Sequence, residues 1–150
     1  MNVLDNRSKS DCPFCMVSEE RLDCVVVYKD QDIMAIMDLY PATPGHLLIL
    51  PRKHIETIYE MPPELSAHIM ATAVIMAKAI KETLLPEGLN LVQANGAAAG
   101  QTIPHFHLHL VPRYQNDTVS LKFGHGNIAE NMDELKRIAS LLKPGIKQGK

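Results

Sequence analysis

Residues 103 to 113 read IPHFHLHLVPR, with His105, His107 and His109 at every second place and Phe106, Leu108 and Leu110 between them. Alternation of this kind constrains the chain to a strand. Successive side chains of a strand point to opposite faces, and neighbours two apart stand roughly 6.6–6.8 Å from one another. The three imidazoles therefore share one face while Phe106, Leu108 and Leu110 enter a core on the other. A merely solvated face is better served by Thr, Lys or Glu, so three histidines in a row point to a site.

The rest of the chain supplies partners for this strand. CVVVY (24–28), IMAIMD (33–38), HLLILP (46–51) and LNLVQAN (89–95) are short, rich in β-branched residues and bounded by turn residues, which predicts four further strands. From Pro63 to about Leu85 no internal Gly or Pro interrupts a pattern of threes and fours: Leu65, Ile69, Ala73, Met76, Ile80 and Leu84. This spacing predicts a long amphipathic helix begun by Pro62 and Pro63. IAENMDELKRIASLLK (128–143) predicts a second helix. Strands in sequence followed by helices argue for an α+β fold: about five antiparallel strands packed with one long helix and a C-terminal helix. At 150 residues, 46% hydrophobic and 21% charged, the chain is expected to form a single domain over 1–150, with flexible ends at 1–11 and 144–150.

A net charge of −2 gives no general attraction to nucleic acid or to anionic lipid, so any phosphate recognition must be local. No charged start followed by an apolar run opens the chain, and no stretch reaches the length of a membrane span, so a cytoplasmic location is expected. Three cysteines are a poor disulfide framework. Cys24, before the apolar run Val25-Val26-Val27, is expected in the core. Cys12 and Cys15 form a C-x-x-C, whose spacing serves a zinc knuckle, a redox pair or two idle thiols. His68 is expected to be a surface or satisfied residue, and His46 and His125 structural or exposed.

Two chemistries compete for the histidine strand. Histidines two apart can ligate one catalytic metal with an open position. Alternatively one is a nucleophile that the others arrange. The preceding residues, Asn95-Gly96-Ala97-Ala98-Ala99-Gly100-Gln101-Thr102, make a small-residue loop ending in an amide and a hydroxyl. Glycine lets backbone N–H groups approach anionic oxygens, so this loop is built for phosphate more than for a bare ion.

AGQTIPHFHLHLVPR resembles the signature of the histidine triad (HIT) family, His-φ-His-φ-His-φ-φ with φ apolar, and MDLYPATPGHLLILPRKH resembles its upstream block. The resemblance runs from about Cys12 to Tyr114. It implies a HIT-like fold and cleavage of nucleotide conjugates at the α-phosphate through a nucleotidyl-histidine. Carried over by position, His107 is the nucleophile, with His109, Gln101 and Thr102 completing the catalytic set. His109 would contact the phosphate or leaving-group oxygen. Asp38 takes the ribose hydroxyls, Ile36, Met37 and Leu39 flank a base pocket, and Asn95 and Gly100 belong to the phosphate loop. In zinc-bearing members the ligands match Cys12, Cys15, His54 and His105, a closed structural site.

The expected substrate is a nucleoside 5′-monophosphate joined to a leaving group, as in a dinucleoside polyphosphate or a phosphoramidate. The resemblance also implies a homodimer paired through a helix and an edge strand. Two other readings stay open at this point: a metal-dependent hydrolase whose triad holds the catalytic ion, and a nucleotide-binding regulatory module without turnover.

Overall fold

IMAIM and LLILP are apolar at every position, and all but the half-buried Met37 are buried. In the computed structural model, which describes residues 11–121 and 131–146, they are strands β2 (Ile33–Met37) and β3 (Leu47–Pro51). With β1 (Val26–Lys29), β4 (Gly88–Val92) and β5 (Leu108–Arg113) they form one antiparallel sheet in the order β1-β2-β3-β5-β4. The expected α+β class and five-stranded antiparallel sheet are borne out.

The uninterrupted apolar runs have a plain cause: both faces of the sheet are covered. Ile33, Ala35, Leu47, Ile49, Phe106, Leu108 and Leu110 turn to one face. There they meet Ile69, Ala73, Met76 and Ile80 of the long helix α2 (Pro63–Leu84). Full burial of each large side chain contributes about 1.5–3 kcal/mol, so this layer is the main source of stability. On the opposite face Met34, Ile36, Leu48 and Leu50 pack with Cys12, Phe14, Cys15 and Val17 of a short helix α1 (Pro13–Ser18) and its cap. Helix α2 has Pro63 in its first turn and ends at Leu85 in the left-handed conformation, with Pro86 preventing continuation.

Some elements differ from the sequence reading. CPFC, read by its cysteine spacing alone, opens a helix: Cys12 caps α1 and Pro13 begins it, and no strand leads into this helix among the described residues. The run Val25-Val26-Val27 is exposed at the sheet edge, at 60%, 45% and 48%, so Cys24 before it is only half-buried, packed at the margin of the cluster under α1. The histidine strand starts later than expected, at Leu108. Before it, Phe106 N–H already donates to the Ile55 carbonyl (2.6 Å), while the carbonyl of His105 serves a side chain instead.

The described residues through Val119 form one compact unit and those from Ser120 a second. Within the second, α3 (Met132–Leu142) is capped by Asn131, whose side chain accepts from Asp133 N–H at 2.9 Å. Of the expected flexible ends, residues 1–10 and 147–150 fall outside the described residues, as do His125 and the expected helical residues 128–130. Among the described residues no helix is long and apolar enough to cross a membrane.

Candidate active site

Sheet register brings the chemistry together. Antiparallel pairing sets Leu48 opposite His109, and Met37 opposite Leu47. One step further along, Asp38 N–H donates to the carbonyl of His46 at 3.1 Å. His46 thus sits across from Asp38 and diagonal to His109, on the face that also carries Ile36 and Leu48. That face opens into a cavity of about 390 Å³, bordered by His107, His109, Asp38, Ile36, Leu39 and Thr102. Its size suits a small molecule. These six residues were singled out by sequence. Phe14 and Val17 of α1, and Leu22, Cys24 and Ile103, are among the further wall residues that the sequence does not foresee.

Four other sequence candidates lie elsewhere. Met37 follows Ile36 in the pleat and therefore turns to the opposite face, packing with the α2 layer. Gln101 closes its own loop: its Oε1 accepts from Gly96 N–H at 2.7 Å and its Nε2 donates to the Glu56 carbonyl at 2.7 Å. Asn95 anchors the same loop, accepting from Ile58 N–H at 2.7 Å. Gly100, at φ +87°, supplies the left-handed turn that returns the chain to Thr102. The expected phosphate donors are thus loop-shaping residues, and Thr102 is the member of the group that reaches the cavity with His107.

Each triad histidine has a different partner. His107 donates from Nδ1–H to the His105 carbonyl at 2.7 Å. A neutral imidazole carries one ring proton, so Nε2 is left without one. The ring packs edge-on against Phe14, with centroids 5.1 Å apart, and its small residual exposure opens to the cavity. His105, fully buried, donates from Nε2–H to the Pro51 carbonyl at 2.8 Å. Its bare Nδ1 faces Cys12 Sγ at 3.4 Å and Cys15 Sγ at 3.7 Å. Burial pushes its pKa down to about 4, against the raising effect of the Pro51 carbonyl. His54 brings Nδ1 to 3.2 Å from Cys15 Sγ, and its far nitrogen lies 3.6 Å from Glu56.

The ligand atoms of Cys12, Cys15, His54 and His105 lie within 4.8 Å of one another. Two thiols and two imidazoles suit zinc, and each imidazole directs its second nitrogen at a carbonyl or carboxylate, as ligating histidines do. The cluster fits a closed tetrahedral ion.

A second group, Asp38, His46 and His109, is equally close-set, but its protons are arranged otherwise. Ala42 N–H donates to His46 Nδ1 at 3.0 Å, so His46 holds its proton on Nε2, the nitrogen a metal would need. His46 is therefore beside the site, 2.9 Å from His109 and 3.4 Å from Asp38, and of the two sequence readings, structural or exposed, its burial rules out the second. His68 is satisfied as expected, 2.7 Å from Asp30.

A sheet of this order, with a histidine run on β5 and its approach facing a cavity, defines a class. The HIT domain model matches residues 19–116, and the chain belongs to that family. Its fold superposes on a HIT family protein from Bacillus anthracis with a TM-score of 0.86 and 37% identity, covering 91% of this chain and 98% of that one. A Zn-bound histidine triad family protein from Mycobacterium smegmatis gives 0.70 and 29%, covering 92% and 99%. In Arabidopsis thaliana, the protein named adenylylsulfatase HINT3 is 36% identical over 109 residues, 73% of this chain and 55% of the plant protein.

Proposed function

We propose that the protein is a nucleotide hydrolase that cleaves nucleoside 5′-monophosphate conjugates at the α-phosphate by way of a nucleotidyl-histidine. The observation that carries this reading is the orientation of His107. Its Nδ1 proton is committed to the His105 carbonyl, so Nε2 keeps its lone pair at the cavity wall, as a nucleophilic imidazole requires. The base lies between Ile36, Leu39 and the α1 wall, and Asp38 accepts from the ribose hydroxyls. Thr102 donates to phosphate oxygens, with Gln101, Asn95 and Gly100 holding its loop in shape.

In the first step the His107 Nε2 lone pair forms a bond to the α-phosphorus. The bond to the leaving group breaks, and that group departs with the electron pair and takes a proton from solvent. In the second step a water oxygen attacks the same phosphorus. The N–P electrons return to Nε2, the water proton passes to solvent, and the nucleoside monophosphate is released. His109 faces the phosphate as a hydrogen-bond donor, stabilising charge as it redistributes. The plant relative's name, an adenylylsulfatase, supports an adenylyl conjugate as the substrate class.

Zinc is the proposed ion for Cys12, Cys15, His54 and His105, where it would supply structural cross-linking of α1 to the sheet. No disulfide joins Cys12, Cys15 or Cys24, which suits a cytoplasmic setting. A homodimer is supported by an apolar groove of about 500 Å³ between α2 and edge strand β4, bordered by the exposed Met70, Val74 and Leu91. Exposed apolar surface of this kind favours a protein partner. Light scattering at two protein concentrations tests it.

The function is tested with diadenosine polyphosphates and an adenosine phosphoramidate. The protein should turn over at least one, and His107→Ala should lose that turnover. Equal turnover by the variant would remove the mechanism.

A further inference from the structure

His46 is a buried histidine, 6% exposed, to which the chemistry above gives no part. Its surroundings fix its proton. The turn before β3 brings Ala42 N–H to His46 Nδ1 at 3.0 Å, so Nδ1 is an acceptor and the hydrogen sits on Nε2. That Nε2 stands 2.9 Å from Nδ1 of His109, with Asp38 Oδ2 a second acceptor at 3.4 Å. Two N–H groups cannot face each other at such a distance. His109 Nδ1 must therefore be bare, and the His109 proton must lie on Nε2. One main-chain N–H, relayed through two rings, decides which atom of His109 is the donor.

We propose that His46 is a positioning residue that locks His109 in the neutral Nε2–H tautomer, so that His109 acts on phosphate as a hydrogen-bond donor and not as a proton-transferring acid. This rests on the hydrolase reading above. A second proton on His109 would have to go to Nδ1, where it would meet the His46 N–H. Relieving that clash means turning His46 over and losing the Ala42 bond. The titratable groups bordering the two rings are Asp38 beyond β2 and His107 before β5, with Asp23, Cys24 and Tyr40 on the cavity wall. Burial and the neighbouring His107 and His46 push the His109 pKa down to about 4, in spite of Asp38, in keeping with a ring that stays neutral during work at neutral pH. A neutral imidazole as electrophile is an established way to polarise an oxygen without moving a proton.

The test uses the full chain and two variants. In His46→Gln the amide oxygen can still accept from Ala42 and the amide nitrogen can still donate to His109; His46→Leu can do neither. Long-range ¹⁵N spectra of the imidazoles, assigned with a His109→Gln sample, read the tautomer with no substrate present. The wild type and His46→Gln should carry the His109 proton on Nε2, and His46→Leu should show a tautomer mixture. With an adenosine phosphoramidate, His46→Leu should lose roughly 10- to 100-fold in kcat with little change in KM, and His46→Gln should recover most of it. A wild-type His109 proton on Nδ1 overturns the proposal, as does His46→Leu with unchanged tautomer and kcat. If His46→Leu fails to fold, the wild-type spectrum decides alone. If the wild type turns over no conjugate, the hydrolase reading fails while the spectrum still judges the lock.

Discussion

The Nδ1–H of His107 is bonded, at 2.7 Å, to the carbonyl of His105, the residue whose own ring points at Cys12 and Cys15. A short stretch of backbone thus links the proposed zinc cluster to the proposed nucleophile. Phe14, between the two cysteines, touches both rings edge-on, at 5.6 Å from His105 and 5.1 Å from His107. The knuckle thus packs directly against the His107 ring.

Zinc content should therefore be close to one ion per chain by elemental analysis, and Cys15→Ser should lose it. Because bound metal stabilises the folded state by mass action, the variant should melt several degrees lower. Turnover should fall by less than about tenfold at room temperature, since the ion takes no part in either displacement. Immediate and total loss of turnover on chelation, with the melting temperature unchanged, would favour a catalytic ion instead.

Much of this arrangement was legible in the sequence. The runs IMAIM and LLILP and the Ile69–Ala73–Met76–Ile80 stripe are local signals, and the structure uses them as read. Helix α1 was missed because six residues give too few turns for a period to show, although Pro13 after Cys12 is a helix-opening pair. Met37 was misplaced against a signal that was present: strict alternation with Ile36 and Asp38 sends it to the far face. His46 could not be placed, because its partner His109 is 63 residues away and only the β3–β5 register joins them. Gln101 was assigned by chemistry alone, and its amide is satisfied within its own loop and by the Glu56 carbonyl.

Acid should destabilise the fold in two stages. Imidazoles of an unfolded chain take up protons near pH 6.5, whereas His109 in the folded protein resists until about 4. Between these values the unfolded state binds more protons. The His109 contribution is therefore fully present above about pH 6.5 and is lost as pH falls towards 4; solvent around the half-buried ring keeps it below the roughly 3 kcal/mol of the unscreened shift. Asp30 acts lower. Burial raises its pKa, but hydrogen bonds from Ile33, Tyr28, Asp32 and His68 outweigh that and hold it well below the usual carboxylate range. Its contribution is present above about pH 4 and fades below. Urea unfolding at pH 8, 6, 5, 4 and 3 reads both stages, and His109→Gln should make the upper one shallower while leaving the share of buried His105, whose pKa is likewise pushed down to about 4.

Gly45 should not tolerate a side chain. Its φ is +91°, and an added Cβ would stand 2.3 Å from Leu84 Cδ1 at the end of α2 and 3.2 Å from Pro112 Cγ. Leu84 can move, but the left-handed backbone strain remains. Gly45→Ala should cost about 1–3 kcal/mol by urea unfolding. Because Gly45 directly precedes His46, the tautomer spectrum of His109 should also broaden. A variant as stable as the wild type would show that the turn before β3 is less constrained than its geometry states.

The most direct measurement is rapid quenching during turnover of an adenosine phosphoramidate, followed by mass spectrometry of the intact chain and of its peptides. The account predicts a transient chain heavier by one adenylyl group, with the group on His107 and absent from His107→Ala. Turnover that proceeds with no adduct at any quench time, or with the adenylyl group on another residue, would contradict it.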